Sequence, residues 1–253
     1  MSSLIKLLQS AISEGNSAEM ERILSAGIPL DAVDCGLVHS VTESNFQAAQ
    51  ILLRAGANPN TSKSLALLIA SSKKSPGIVD LLLKHGADVN AANDQGLTAL
   101  HSASISGDVE TVGILLRSGC DIDAVDCDGE SALIMVVARA RRDVVCVLLK
   151  AGVNTELTNR KTLETALSVA IRKGFPDLVK VLLLANANLN AVTRLGESPL
   201  HVAIREGSAD MIKLLISHGA NKDKFSPEGN APLSFAAKRG KLEAVQILLA
   251  AGA

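Results

Sequence analysis

A histidine beside serines is the first feature with chemical potential. Residues 96–104 read GLTALHSAS, which places His101 next to Ser102 and close to Ser104. A histidine within reach of a serine hydroxyl can act as its general base, so the stretch is a candidate nucleophilic site. The alternative is architectural, with the histidine fixing the start of a helix. The elements around it decide between the two.

Other motifs that carry chemistry are missing from the sequence. The five histidines form no HxxxH or HExxH pair, and no acidic cluster has the spacing of a calcium loop. Neither GxxxxGK[ST] nor GxGxxG occurs. The sequence therefore predicts no metal site, no cofactor and no catalytic centre.

Composition narrows the class of partner. The chain has 253 residues and a formal net charge of −1, which gives no global electrostatic reason to bind nucleic acid or an acidic membrane. It has no Trp, no Tyr and four Phe, so it lacks platforms on which bases could stack. No apolar run approaches the roughly 18 residues of a membrane span. We expect a cytoplasmic protein, with the nucleus as the alternative, that binds neither nucleic acid nor membrane.

The four cysteines form no CxxC pair, in a chain without a secretory signal. This usage favours reduced thiols. We expect Cys35, Cys120, Cys127 and Cys146 to be buried like small hydrophobic residues.

One short signature recurs along the whole chain. It reads AGIPLD, AGANPN, HGADVN, SGCDID, AGVNTE, ANANLN, HGANKD and finally AGA. Its glycine, replaced once by Asn186, recurs at spacings of 29, 30, 33, 33, 34, 33 and 33 residues. Such a period indicates stacked structural repeats.

Each signature follows an apolar run such as VGILLRSG, which predicts a helix that ends at the glycine. A shorter helix precedes it, opened by TALH, SALI, TALS, SPLH or APLS. The Ser or Thr of these openers can accept a hydrogen bond from the backbone N–H three residues on. The opening stretch GLTALHSAS is thus predicted to be a helix start.

These openers and endings resemble the ankyrin repeat family, whose unit runs hairpin, TPLH, helix, Gly, helix, GADVN. The resemblance implies an all-α repeat solenoid of about sixteen helices with β-hairpin fingers, forming a single domain over residues 1–253. In that family the TPLH histidine is a structural bridge, which assigns the same role to His101 and His201. The eight units are expected at 1–31, 32–61, 62–94, 95–127, 128–160, 161–194, 195–227 and 228–253.

Three departures from the family pattern stand out. The segments after Gly27 and Gly56 are short, so the first two fingers should be shortened. Thr162 adds about one residue to the NRKTLETAL finger, which should bulge. The inter-helix glycine is replaced in three units, where a positive φ would be strained; the residues are Ser44, Lys74 and Ala140.

The resemblance also implies a concave groove lined by the fingers and the ends of the first helices. A basic column should form its floor and fingertip acids its edge, with apolar side chains available to a partner's aromatic group. The expected basic residues are Arg139, Arg172, Lys173, Arg205, Lys238 and Arg239, with Lys73 in an earlier unit. The expected acidic residues are Asp94, Asp126, Asp128, Glu130, Glu164, Glu197 and Glu228, and the apolar ones Leu97, Ile105, Leu163 and Leu195. The alternative for the cations is that they only complement helix dipoles.

We therefore expect a monomeric, non-catalytic scaffold that recognises a protein or an extended acidic peptide in this groove, with Arg172, Arg205 and Arg239 at the surface. The main alternative is a regulatory or targeting module of a larger enzyme or channel, acting in cis. A third, direct binding of nucleic acid or phospholipid through the basic column, is disfavoured by charge.

Asn90 raises a separate question of modification. It ends the stretch LLKHGADVN, with Leu82 eight residues before it. This resembles the pattern that asparaginyl hydroxylases modify in ankyrin repeats, so Asn90 is a candidate hydroxylation site. The alternative is an asparagine that bridges backbone groups of neighbouring hairpins.

Overall fold

The computed structural model describes residues 2–253, and their side chains apart from those of residues 2, 3 and 62–64. Sixteen helices are found in this part of the chain, arranged as eight helix–turn–helix pairs. The chain divides into two compact units, Met1–Ala124 and Val125–Ala253. That the two units form the single domain expected from the repeats stays a prediction.

The first unit contains four helix pairs. The first helices of the pairs pack side by side, α1 on α3, α3 on α5 and α5 on α7, and the second helices form a parallel layer. Leucines such as Leu37, Leu67 and Leu100 fill the space between the layers and are fully buried. The helices are α1 Ser2–Ser13, α2 Ser17–Ser25, α3 Leu30–Thr42, α4 Phe46–Arg54, α5 Thr61–Ser72, α6 Pro76–Lys84, α7 Ala99–Ser106 and α8 Val109–Arg117.

The second unit repeats this arrangement. Helix α9 packs on α11, α11 on α13 and α13 on α15, while α10, α12, α14 and α16 form the other layer. Its core includes the fully buried Leu133, Leu148 and Leu182. The helices are α9 Ala132–Ala138, α10 Arg142–Lys150, α11 Ala166–Arg172, α12 Pro176–Leu184, α13 Pro199–Glu206, α14 Ala209–Ser217, α15 Pro232–Lys238 and α16 Leu242–Ala250.

The predicted openers begin the first helices. Thr98 caps α7, Ser131 caps α9 and Thr165 caps α11, each accepting from the N–H three residues later. Pro199 and Pro232 are the first helical residues of α13 and α15, where a missing N–H leaves no partner unsatisfied. The helix-start interpretation of GLTALHSAS is correct.

Hairpin fingers precede α7, α9, α11, α13 and α15, but they are turns more than strands. Within residues 2–253, β-structure is limited to two isolated bridges, Ala92 with Thr98 and Val125 with Ser131. One backbone hydrogen bond closes a typical finger between residues four apart, as from Thr193 N–H to Glu197 C=O at 3.1 Å. The finger with the extra residue closes from Asn159 to Glu164, five apart, and Leu163 there takes a φ of 52°.

The shortened fingers have an unexpected solution. Helix α3 starts two residues after Ile28 and α5 starts directly after Asn60, so helix replaces the hairpin at both places. These helices have 13 and 12 residues, against seven or eight in α7, α9, α11, α13 and α15. The extra helical turns of α3 and α5 occupy the two short segments, whose sequence lacks the turn residues found in the later fingers.

Burial of the cysteines differs from the expectation. Cys35 and Cys127 are exposed, and Cys120 and Cys146 are half-buried. Cys35 lies on the extra first turns of α3, a segment that the repeat pattern would have placed in a finger. Burial and, to a smaller extent, the negative charge of Asp121 raise the pKa of the Cys120 thiol to about 11.

None of the described helices is long and apolar enough to cross a membrane.

Candidate functional site

The two opener histidines are structural. His101 is fully buried, and its Nδ1 accepts from the Thr98 N–H at 3.2 Å while the Thr98 side chain caps the same helix. His201 is also buried, with Nδ1 at 2.8 Å from Ser198 Oγ and Nε2 at 3.2 Å from the carbonyl oxygen of Asn230 in the next finger. These contacts use Nδ1 of His101 to fix the start of its helix, and both ring nitrogens of His201 to fix its helix and the next finger.

In the second unit the basic column follows the C-terminal ends of the first helices. Because α9, α11, α13 and α15 pack side by side, equivalent residues at their ends form a row. The part of the basic column that lies on these four helices is called the basic row below. Arg139 and Lys173 are C-cap residues, and Arg205 lies in the last turn of α13. Exposed members of the row are Arg139, Arg172, Lys173, Lys238 and Arg239, whereas Arg205 is partly buried.

Glu164 departs from its expected place at an exposed edge. Its carboxylate is buried and accepts a bidentate pair from Arg172, Nε to Oε1 at 2.7 Å and Nη2 to Oε2 at 3.0 Å. Thr162 Oγ1 donates to the same carboxylate at 2.9 Å. The hydrogen bond to Glu164 raises the pKa of the Arg172 guanidinium.

Glu197 occupies the equivalent position one repeat later and is equally buried. Its Oε2 accepts from Arg205 Nη1, and its Oε1 lies 3.9 Å from Arg239 Nη2. The expected acidic edge is therefore wrong for Glu164 and Glu197, because the finger folds these side chains back onto the helix ends. Both carboxylates already neutralise part of the basic row.

The glutamate of the earlier finger differs in its burial. Glu130 is half-buried. Burial and, to a smaller extent, the negative charge of Asp126 raise the pKa of its carboxyl group. Arg139 donates to the carbonyl oxygen of Met135 at 3.0 Å. Asp128 at the fingertip is exposed and forms an ion pair of 3.0 Å with Lys161.

An aromatic contact links the basic row to the buried histidine. The Arg239 guanidinium lies 4.2 Å from the centroid of the Phe235 ring. The same ring meets His201 edge-on at 5.1 Å between centroids. Desolvation by burial lowers the pKa of His201, against a smaller opposing effect of its Asn230 hydrogen bond.

A cleft of about 520 Å³ opens between the fingertips of residues 160–164 and 193–197. Arg172 and Arg205 reach it from the helix ends, and Leu195 is exposed at its lip. Arg194, for which the repeat pattern predicts no role, donates from Nε to the carbonyl oxygen of Lys161 at 2.6 Å and from Nη2 to that of Arg160. An arginine at the same place in consecutive fingers, Arg160 and Arg194, is the signal that could have revealed it.

The remaining expected groove residues lie as follows. Asp94 is exposed and Leu97 is half-buried on the first unit's last finger, and Ile105 is half-buried in α7. Leu163 and Leu195 in the second unit are 39% and 66% exposed. Whether these side chains bind a partner stays a prediction.

Asn90 is exposed and its Oδ1 accepts from the Asp121 N–H at 2.7 Å. Asn60 accepts from the Asp88 N–H at 2.8 Å in the same way one repeat earlier. This geometry agrees with a bridging asparagine. Hydroxylation of Asn90 stays a prediction, which a mass gain of one oxygen on its peptide, isolated from the native host, would support.

In the part of the chain that the structure describes, no cluster of three or more His, Cys, Asp or Glu side chains could hold a metal ion. The site is instead a surface: a basic row with two buried acidic partners, and one cleft beside it.

Comparisons with known proteins agree with this architecture. The family model described as Ankyrin repeats (3 copies) matches residues 37–126, 67–159, 108–193 and 167–253. An ankyrin repeat-containing protein of Treponema pallidum (strain Nichols) is 29% identical over 110 residues, which are 40% of this chain and 37% of that protein. The match thus spans little more than a third of the relative's length.

Two solved structures are similar over most of the chain. The ankyrin repeat domain of Bcl-3, described as a unique member of the IkappaB protein family, superposes with a TM-score of 0.78 at 26% identity, covering 84% of this chain and 97% of that one. The human ASB11 ankyrin repeat domain gives a TM-score of 0.69 at 28% identity, covering 86% and 97%. With the family model matching most of its length and the helix pairs arranged as described, this chain belongs to the ankyrin repeat family.

Proposed function

We propose that this chain, a protein–protein interaction module by family, binds an extended acidic segment of its partner along the basic row of the second unit. The observation that supports the proposal is the set of exposed cations Arg139, Lys173 and Lys238 at the ends of α9, α11 and α15, whereas Arg172, Arg205 and Arg239 lie against the buried carboxylates of Glu164 and Glu197. The family's fold is typically a non-catalytic interaction module.

Charge and geometry favour an extended ligand. The row places one or two cations on each successive repeat, so an acidic side chain would be needed at regular intervals along the partner. Exposed ion pairs each contribute little, roughly 0.2–1 kcal/mol, and several must act together to give useful affinity. A guanidinium such as that of Arg139 can also hold a carboxylate with two parallel hydrogen bonds.

A peptide in which Glu alternates with Ala, labelled with fluorescein, serves as the probe, and fluorescence anisotropy measures its affinity. The triple variant Arg139→Ser, Lys173→Ser, Lys238→Ser should bind it about tenfold more weakly, since three exposed ion pairs are lost. These side chains are exposed, so the variant should keep its helical circular dichroism spectrum.

The matched control removes the same charge from the second helices, through Lys150→Ser, Lys180→Ser, Lys213→Ser. All three lysines are exposed. Equal weakening by both triple variants would mean that only net charge matters, and failure of the unaltered chain to bind the peptide would reject the proposal.

A further inference from the structure

The cleft between the fingertips of residues 160–164 and 193–197 has an excess of positive charge. Its volume, about 520 Å³, lies within the roughly 300–1,000 Å³ of small-ligand pockets. Its lining carries one carboxylate, that of Glu164, against four cationic side chains, those of Lys161, Arg172, Arg194 and Arg205. An occupant should therefore bring negative charge.

Arg194 is the cation best placed to meet that charge. Its guanidinium donates to two backbone carbonyl oxygens, which are neutral. The other three cations are paired with carboxylates: Arg172 with Glu164, Arg205 with Glu197 and Lys161 with Asp128. Among the described side chains, no carboxylate lies within ion-pair distance of Arg194.

The cleft wall contains a hydroxyl that lacks a partner. Thr193 is 7% exposed, and its Oγ1 is buried without a hydrogen-bond partner among the residues that the structure describes. A buried polar group left unsatisfied is costly. Because Thr193 lines the cleft, rotation about its Cα–Cβ bond would offer this hydroxyl to a polar atom inside.

Apolar side chains stand at both fingertips that bound the cleft. Leu195 is 66% exposed on one of them. On the other, Leu163 is 39% exposed and takes a φ of 52°, a conformation that a non-glycine residue adopts at a cost. Leu163 is thus both exposed and strained, and its two chain neighbours, Thr162 and Glu164, line the cleft.

We propose that the cleft is the anchor site for a tyrosine of the acidic partner segment. The aromatic ring packs against the exposed leucines, its hydroxyl pairs with Thr193 Oγ1, and an adjacent glutamate of the partner meets Arg194. A tyrosine suits a site of this kind because it has an apolar body and a polar tip. This inference rests on the proposed binding of an acidic segment.

The test uses three probes and the whole chain. The central Ala of the alternating Glu and Ala peptide is replaced by Phe or by Tyr, and anisotropy measures the affinity of each. We expect the Phe peptide to bind more tightly than the Ala peptide, and the Tyr peptide roughly fivefold more tightly than the Phe peptide, the contribution of one neutral hydrogen bond.

Two variants locate the effect. Thr193→Val removes the hydroxyl while keeping the shape, and should bring the ratio of Tyr to Phe affinity to about one. Leu195→Ser should weaken binding of both aromatic peptides without changing that of the Ala peptide. Thr193→Val leaves no unsatisfied hydroxyl, so loss of fold is not expected to obscure the result.

The outcomes separate this inference from the proposed function. If the Ala peptide binds as tightly as the two aromatic peptides, the anchor site is rejected and binding by the basic row stands. An unchanged ratio of Tyr to Phe affinity in Thr193→Val would also reject it. If none of the three peptides binds, both proposals fall.

Discussion

Arg205 and Glu197 form an ion pair that joins the end of a helix to the finger that precedes the same helix. The Glu197 side chain is 5% exposed and that of Arg205 is 24% exposed, so the carboxylate lies in the interior and the guanidinium covers it. Arg172 and Glu164 repeat the arrangement one unit earlier, again eight residues apart. These pairs make two members of the basic row part of the architecture.

Arg205→Glu should therefore destabilise the fold. The substitution leaves the buried Glu197 carboxylate without its main partner and places a like charge beside it, and breaking a buried ion pair typically costs about 3–5 kcal/mol. Urea unfolding followed by circular dichroism gives the free energy of unfolding. Lys173→Glu, at an exposed neighbouring position, is the control and should change it by about 0.5 kcal/mol or less. Equal stabilities for the two variants would contradict a structural role for the Arg205 pair.

The sequence predicts the repeat architecture well because its signals are local. Spacing of the glycine signature and the capping residues of the openers indicate helix starts and ends, and the structure has helices at these places. The position of Glu197 depends on how a finger folds back over the next helix, which no local signal reports. A glutamate directly before the opener, with an arginine eight residues later, is a pattern that could have predicted the pair.

The same limit applies to the cleft. Arg194 N–H donates to the Thr162 carbonyl oxygen of the preceding finger at 2.7 Å, a contact between residues 32 positions apart. Repeat spacing predicts that the two fingers are neighbours. It does not predict that Thr193 loses contact with water, because that depends on how closely the two fingers pack.

Gly196→Ala should reduce stability more than Gly229→Ala does. Both glycines lie at fingertips with a left-handed φ, 67° and 72°, and alanine there costs roughly 1–2 kcal/mol. At Gly196 the added Cβ would also lie 2.0 Å from Pro227 Cγ, whereas at Gly229 it would meet nothing within 4 Å. Thermal unfolding of the two variants measures the difference. Equal melting temperatures would mean that the finger containing Pro227 moves aside without cost.

Ala140→Gly should stabilise the protein. Ala140 replaces the inter-helix glycine and keeps a positive φ of 54°, so glycine would remove strain of about 1 kcal/mol. The matched control is Ala237→Gly on the exposed face of α15, where alanine has ordinary helical geometry. That change should cost about 1 kcal/mol. Urea unfolding should thus give shifts of opposite sign, and a shared sign would mean that turn strain is negligible at Ala140.

His201 should make the second unit less stable in mild acid. Burial lowers its pKa in the folded state, so the unfolded chain binds the proton more readily and stability falls as the pH drops through the unfolded value of about 6.5. Glu197 opposes this shift and Lys224 adds to it, because both charges act on the ring. The experiment compares the free energy of unfolding at pH 7.5 and 5.5 in the unaltered chain and in His201→Ser, since Ser168 fills the equivalent place in α11. The variant should be less stable at pH 7.5, because it loses the bridge to Asn230, but its stability should fall less between the two pH values. The same fall in both proteins would show that other groups cause the acid sensitivity, and that the buried imidazole does not resist protonation in the folded state.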